Sequence, residues 1–130
     1  MRSPYLSLLG LCRRAGKVEI GDEAVRSACS NGTAKVLLVA SDASEKTCEA
    51  FEFIADNVNI PHIRVSETRE ELGNALGKRP CAVVAICDTG FSAAIINKLA
   101  PDNEQARAIL PSLEKKAQRS ENRRKAKRKF

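Results

Sequence analysis

The sequence predicts a single α/β domain, a three-layer α/β/α sandwich around a small, mostly buried mixed sheet, followed by a basic C-terminal tail. Three observations support this fold class. The 130 residues, 43% of them hydrophobic, suffice for one folded core and not for two. Apolar strand patterns alternate with helical patterns through residues 1–100, as expected for helices layered on a sheet. The positive charge is concentrated after Pro101.

The first half of the chain predicts three helices and two strands. In order, these are a helix that follows Ser3-Pro4 and ends near Gly16, a strand at 17–20, a helix from Asp22 to Asn31, a strand at 35–40 and a helix at 44–57. The strand at 35–40 is continuously apolar, which is typical of a strand covered on both faces. Asp22 and Ser44 are the predicted N-cap residues of the second and third helices.

The second half repeats this alternation. It predicts a strand at 61–65, a helix at 67–76, an apolar strand at 81–87, a turn at 88–90 and a helix at 91–99 in which Ala94, Ile95 and Leu99 face inward. Pro101 is expected to end the domain, which gives a domain over residues 1–100 and a tail over residues 101–130. Ala106–Leu113 is expected to add a turn of helix. Lys115–Lys129 has almost no apolar residue and is expected to be mobile.

The net charge of +6 lies entirely in the tail. From Pro101 onward ten basic residues face four acidic ones, a difference of six, so residues 1–100 carry twelve of each sign and are neutral. A neutral body with a basic tail indicates a polyanionic partner. The alternative is a tail that only aids solubility. No apolar stretch approaches the ~20 residues that cross a bilayer, and Tyr5–Cys12 lacks the layout of an export signal, so we expect a cytoplasmic protein without a membrane partner.

The residue pattern gives little support for a catalytic, metal or nucleotide site. Two stretches, at 10–17 and 73–78, resemble phosphate loops, but the spacing between their glycines is wrong. The five cysteines include no Cys-x-x-Cys pair and the single histidine is isolated, so neither a metal site nor a cofactor is predicted. The cysteines are expected to be reduced and packed in the core, and the protein is not expected to be an enzyme. A small enzyme that uses Cys81 is the remaining catalytic hypothesis.

Basic residues occur at two places where the backbone is suited to bind an anion. Gly21 opens the second helix, where free N–H groups and the helix dipole favour negative charge. Arg26 follows one turn into that helix, and Lys17 lies just before it. Lys78-Arg79 forms the second basic point, in the loop before the last strand. Because an α/β sandwich can bring both places to one edge, the sequence predicts an anion-binding edge. The alternative is a helix cap and a solvated loop.

An ordered set of sequence pieces resembles a known family. The pieces are Ile20–Arg26, Ala34–Ser44, Ile60–His62, Glu71–Lys78 and Asp88–Phe91. Together they resemble the L-seven-Ae family of ribosomal proteins, which bind kink-turn RNA, and within it the bacterial YlxQ-like branch. The resemblance covers about residues 4–100 and implies a three-layer α/β/α sandwich that binds RNA.

The resemblance also implies which residues contact RNA. In the family, a Gly-x-Asn-Glu-x-x-Lys stretch opens the second helix and reads sheared G·A pairs, and the loop before the last strand, here residues 78–81, covers a flipped-out base. Gly21 matches the glycine, whereas Glu23, Ala24 and Ser27 stand at the Asn, Glu and Lys positions. An ionised Glu23 only accepts hydrogen bonds and repels phosphate. The resemblance therefore supports RNA binding at this edge more than kink-turn specificity.

The resulting prediction is an RNA-binding protein associated with ribosomal or other structured RNA. The predicted contacts, the last three from the tail, are Lys17, Gly21, Glu23, Arg26, Lys78, Arg79, Arg123, Arg124 and Lys125. The alternative from another functional class is a protein-interaction or scaffold module whose tail binds nucleic acid without selectivity.

Overall fold

The computed structural model describes residues 3–128, which form six α-helices and four strands. In chain order the elements are α1 (Tyr5–Arg14), β1 (Val18–Ile20), α2 (Asp22–Ser30), β2 (Val36–Val39), α3 (Glu45–Asn57), β3 (His62–Arg64), α4 (Arg69–Leu76), β4 (Val83–Ile86), α5 (Thr89–Leu99) and α6 (Glu104–Arg128). A short 3-10 turn at Ala100–Asp102 joins α5 to α6.

The four strands form one mixed sheet in the order β1-β4-β2-β3. Strand β2 runs parallel to β3, whereas β4 runs antiparallel to both of its neighbours, β1 and β2. The two central strands are buried at every position, because helices cover both faces of the sheet. The predicted mixed sheet and its continuously apolar strands are therefore confirmed.

Helices complete the two outer layers. Helix α1 contacts α4 and α5, whereas α2 contacts α3 and lies against β1 and β4. One continuous core joins these layers to the sheet, and Phe51, Leu72 and Ile95 are among its largest buried side chains. The predicted three-layer α/β/α sandwich is confirmed.

The two predicted N-caps have different outcomes. The Ser44 hydroxyl accepts a hydrogen bond from the Thr47 N–H at 3.2 Å, so the cap of α3 is confirmed. The prediction for α2 is wrong, because Asp22 is its first helical residue and Gly21 is the N-cap. Gly21 has a φ of 91°, a backbone conformation that an L side chain rarely adopts. The cap therefore depends on glycine.

Two details of the later helices also differ from the prediction. Helix α4 begins two residues after Glu67, because Thr68 caps it in a capping box. Glu67 itself is buried. In α5, Ala94 is exposed and Ile96 faces the core in its place, since the inward stripe is set by packing against α1 and α6. The inward positions of Ile95 and Leu99 are confirmed.

The segment after Pro101 is helical in the structure. Helix α6 has 25 residues, and its Ala106 and Leu113 are buried against the body of the protein. The predicted single turn of helix at Ala106–Leu113 is therefore too short. The segment has few apolar residues, but it is rich in Ala, Gln, Glu, Lys and Arg, which have high helix propensity. The division of the chain at residue 100 and the mobility of the distal segment stay predictions. Lys129 lies outside the described residues.

Candidate nucleic-acid interface

One edge of the sheet brings the two predicted basic points together. Strands β1, β2 and β3 end there and β4 begins there, and we call it the Gly21 edge. The Gly21 N–H donates to the Val83 carbonyl at 3.3 Å, so the start of α2 lies beside the start of β4. The loop that leads into β4 carries Lys78 and Arg79. The helix start and the basic loop therefore lie at the same end of the sheet.

The start of α2 leaves backbone donors free. No side chain caps this helix, so the N–H groups of Asp22 and Glu23 have no intrahelical acceptor. Such N–H groups, with the helix dipole, attract an anion. The carboxylates of the same two residues weaken that attraction for phosphate. The helix start is thus suited to a ligand that offers donors as well as acceptors, such as a base edge or a ribose hydroxyl.

Arg26 is held against the body of the protein. Its guanidinium pairs with the Asp22 carboxylate and lies over the Phe51 ring of α3, 5.0 Å from the ring centroid. The side chains of the ion pair are 48% and 63% exposed, so the pair adds little stability. Solvent reaches Arg26, but Asp22 neutralises much of its charge. Arg26 is therefore a weaker phosphate ligand than the sequence indicates.

A carboxylate ties three loops of the Gly21 edge together. Asp42, which follows β2, accepts from the Arg69 N–H at 2.8 Å and pairs with the Arg69 guanidinium at 3.6 Å. The Arg69 carbonyl in turn accepts from the Cys81 N–H at 3.1 Å. The loops after β2, before α4 and before β4 thereby share one network. Arg69 is not among the residues predicted from the sequence, since its partner is 27 residues away and no local pattern indicates the pair.

The loop before β4 packs on α4 and presents its cations to solvent. The Lys78 N–H donates to the Gly73 carbonyl at 2.8 Å, and Gly77 ends α4 in the left-handed conformation. The Lys78 and Arg79 side chains are exposed, and no carboxylate pairs with either among the described residues. The Arg13 guanidinium from α1 lies close to Gly77. It brings a third positive charge that the sequence analysis did not single out.

The other predicted contacts lie at the opposite end of the sheet. Lys17 precedes β1, and its carbonyl accepts from the Cys87 N–H, beyond the end of β4, at 2.8 Å. Four strand steps separate Lys17 from Gly21, roughly 13 Å along an extended strand. Arg123–Lys125 belongs to the distal half of α6, and its first two residues border a cavity that Cys87 also lines. The structure therefore divides the predicted RNA contacts between two ends of the molecule.

The cysteines are core residues, as predicted. All five are free, four are buried and Cys87 is partly buried. Burial raises the pKa of the Cys12 thiol to about 12 and also raises the pKa of the Cys81 thiol. A reactive cysteine needs an accessible thiolate with a lowered pKa, and Cys81 is only 6% exposed. Within residues 3–128, no His, Cys, Asp and Glu side chains cluster as metal ligands would, and no helix has the length and hydrophobicity to span a bilayer.

We expect the native thiols to react slowly with a disulfide reagent at neutral pH, because four of the five are buried and Cys87 is partly buried. Burial also raises the pKa of Cys12, Cys29, Cys81 and Cys87, which disfavours the reactive thiolate. All five should react at once after unfolding in guanidinium chloride. The measurement is the absorbance of the released aromatic thiol over time, with and without denaturant. Rapid labelling of Cys81 alone in the folded protein would contradict this expectation and support the cysteine-enzyme hypothesis.

The sequence profile of the Ribosomal protein L7Ae/L30e/S12e/Gadd45 family matches residues 5–96. The chain is 36% identical over 95 residues to the RNA-binding protein YlxQ of Bacillus subtilis, an alignment that covers 73% of this chain and 94% of that protein. It is 32% identical over 87 residues to the large ribosomal subunit protein eL30 of Tetrahymena thermophila, covering 66% and 84%.

Solved structures share the fold. A protein of unknown function from Bacillus halodurans C superposes with a TM-score of 0.71 at 32% identity, covering 76% of this chain and 99% of that one. The 15.5kD RNA binding protein of Giardia lamblia superposes with a TM-score of 0.59 at 19% identity, which shows the common fold, and covers 83% and 85%. The predicted family resemblance, including its YlxQ-like branch, is confirmed. The profile match runs from the first residue of α1 into α5, and this chain therefore belongs to the Ribosomal protein L7Ae/L30e/S12e/Gadd45 family.

Proposed function

We propose that this protein binds structured RNA in the cytoplasm through the Gly21 edge. One observation carries the proposal: an uncapped helix start and a loop with the exposed, unpaired cations Lys78 and Arg79 lie at the same end of the sheet. The names of relatives, an RNA-binding protein and a protein of the large ribosomal subunit, support RNA as the ligand class. The role we assign is binding, without a catalytic step.

Different residues of the Gly21 edge contact different parts of the RNA in this proposal. Lys78 and Arg79 neutralise phosphates, which fixes the position of the RNA without reading its sequence. The free N–H groups of α2 donate to phosphate or base acceptors, and the exposed Glu23 carboxylate accepts from base amino groups. The network of Asp42 and Arg69 holds these loops in place before RNA arrives.

Selectivity for a kinked RNA should be modest. Glu23 cannot donate to a base edge as an amide would, and Ala24 and Ser27 carry neither the carboxylate nor the ammonium of the family stretch. Phosphate contacts, which do not depend on base identity, then supply most of the affinity. We therefore propose that shape and charge select the RNA partner, and that ribosomal RNA is one candidate.

The test is a double substitution, Lys78→Gln with Arg79→Gln, in the full chain. We expect binding of a kink-turn RNA to weaken roughly ten- to thirty-fold at about 0.1 M salt, since each lost phosphate contact removes a counterion-release term of about fivefold. Fluorescence anisotropy of the labelled RNA measures the affinity. The full chain is used because Ala106 and Leu113 of α6 are buried against the body.

The matched control is Lys115→Gln with Lys127→Gln, which removes the same charge from exposed positions in the part of α6 that lies toward the opposite end of the sheet. This control should stay within about threefold of the unmodified protein, because distant exposed charges are screened by salt. Equal losses in both variants would overturn the proposal. They would favour the alternative, a protein-interaction module that binds nucleic acid only through net charge.

A further inference from the structure

A basic groove lies at the end of the sheet opposite the Gly21 edge. It is a cavity of about 530 Å³ between the distal half of α6 and the loops at which β2 begins and β4 ends. Its positively charged lining comes from two parts of the fold. Helix α6 contributes four of the cations and the sheet edge contributes the fifth, and the five are Lys35, Lys116, Arg119, Arg123 and Arg124.

The groove has a strong excess of positive charge. Asp88 is its only lining carboxylate among the described residues, and its side chain already accepts from the Phe91 N–H at 2.8 Å as the N-cap of α5. None of the five cations forms an ion pair among the described residues. The Lys35 ammonium donates to the Gly32 carbonyl at 3.5 Å, a neutral partner that leaves its charge uncompensated. Such a set of uncompensated charges attracts anions.

The wall formed by α6 is anchored to the body. Leu113 is 1% exposed, and Ala117 and Ser120 are partly buried on the same side of the helix as the cations. Residues three, four and seven apart share a helix face, so Lys116, Arg119 and Arg123 line the groove together. The cations of α6 that line the groove therefore belong to a helix packed on the body of the protein. They are not simply charges on a free tail.

The spacing of the cations fits a polymer better than a single phosphate. Lys116 and Arg124 are eight residues apart, about 12 Å along the helix axis, so one small anion cannot contact both. Among residues 3–128, no aromatic side chain lines the groove, so this part of the chain offers bases no stacking platform there. A ligand with regularly repeated negative charge, held by its backbone alone, matches these features.

We propose that the basic groove is a second RNA-binding surface, which takes the sugar-phosphate backbone of a strand without reading its bases. Five strand steps separate Ala82 from Cys87, roughly 16 Å, so one protein would hold two RNA segments at opposite ends of its sheet. The charge and spacing of the lining residues indicate a polyanionic ligand. The choice of RNA over an acidic protein rests on the proposed function.

The experiment uses the full chain and a fluorescein-labelled oligouridylate of twelve nucleotides, which has no stable fold. Arg119→Gln with Arg123→Gln removes two cations from the groove. The matched control, Lys115→Gln with Lys127→Gln, removes two exposed cations of α6 that do not line it. Glutamine is nearly as good a helix former as Lys and Arg, and circular dichroism verifies that α6 is retained.

The groove variant should bind the oligouridylate roughly ten- to thirty-fold more weakly at about 0.1 M salt, and the slope of log affinity against log salt should fall by about 1.4. The control should change by less than about threefold. Lys35→Gln tests the sheet side of the groove without altering α6, and we expect a loss of about fivefold.

Equal losses in the groove variant and the control would overturn the proposal, because binding would then follow net charge alone. Displacement of the oligouridylate by an equal concentration of twelve-residue oligoglutamate would also overturn it and indicate an acidic protein partner. The Lys78→Gln/Arg79→Gln variant separates the two surfaces. If it binds kink-turn RNA normally while the groove variant loses the oligouridylate, the proposed function fails and the groove stands.

Discussion

Replacing Gly73 with alanine should lower the free energy of unfolding by about 1–3 kcal/mol, the usual cost of an overpacked core position. Gly73 is a buried residue of α4, and a β-carbon there would lie 2.5 Å from the Arg79 carbonyl oxygen and 2.8 Å from its carbon. Both are backbone atoms, so the clash cannot be relieved by turning a side chain. The loop before β4 must move, and RNA binding at the Gly21 edge should weaken with it.

The expected loss of stability in Gly73→Ala is opposite in sign to the helix propensities of the two residues, which favour alanine over glycine. In a helix without steric hindrance, glycine to alanine stabilises by about 1 kcal/mol. Gly10→Ala in α1 is the matched control, because its β-carbon would lie 3.3 Å from the Ala75 carbonyl oxygen, so a much smaller displacement is needed there than at Gly73. Urea unfolding of both variants measures the difference. A Gly73→Ala protein as stable as the control would contradict the packing that positions Lys78 and Arg79.

Stability should fall steeply above about pH 10, because Tyr5 must stay protonated in the folded protein. Its hydroxyl donates to the buried Glu67 carboxylate, whose other oxygen accepts from Ser3 at 2.6 Å. Burial first, and then the hydrogen bond to Glu67 and its charge, raise the pKa of Tyr5 far above its ordinary value of 10.0. A group whose pKa is raised on folding stabilises below its unfolded pKa, and this stabilisation is lost as pH rises above it.

The expected slope is up to about 1.4 kcal/mol of unfolding free energy per pH unit. Tyr5→Phe should remove that slope, and at neutral pH it should cost about 1.5–3 kcal/mol because a hydrogen bond to a charged group is lost. The chain has one tyrosine, so tyrosinate absorbance reports on Tyr5 alone. Buried thiols such as Cys12, whose pKa is also raised, add the same alkaline slope to both proteins. A native tyrosine that ionises near pH 10 without loss of stability would contradict this account.

Hydrophobic pattern was enough to predict most of the fold. The apolar stretches at 35–40 and 81–87 contain the two central strands, and alternation with helical patterns predicted the layers. The hydrophobic pattern did not predict the full length of α6, because this helix depends on helix propensity and on a few buried residues such as Ala106 and Leu113. It also failed at the start of α2, where the conformation of Gly21 decides which residue is the cap.

The candidate site was less predictable, because it depends on which strand ends meet. The basic residues Lys17 and Lys78 looked like members of one cluster in the sequence. The strand order β1-β4-β2-β3, with β4 antiparallel to its neighbours, separates them to opposite edges. The pairing of Asp42 with Arg69 likewise crosses from one loop to another. No local pattern carries this information, since it arises from tertiary packing.

The central claim is that the Gly21 edge binds RNA, and an amide chemical-shift map of the nitrogen-15-labelled full chain tests it most directly. On titration with a kink-turn RNA, we predict that the amides of residues 21–24 and of Lys78, Arg79 and Cys81 shift or broaden at the lowest RNA ratios, whether or not amides of α6 also respond. If those amides do not respond while shifts are confined to α6, the Gly21 edge is not an RNA-binding surface.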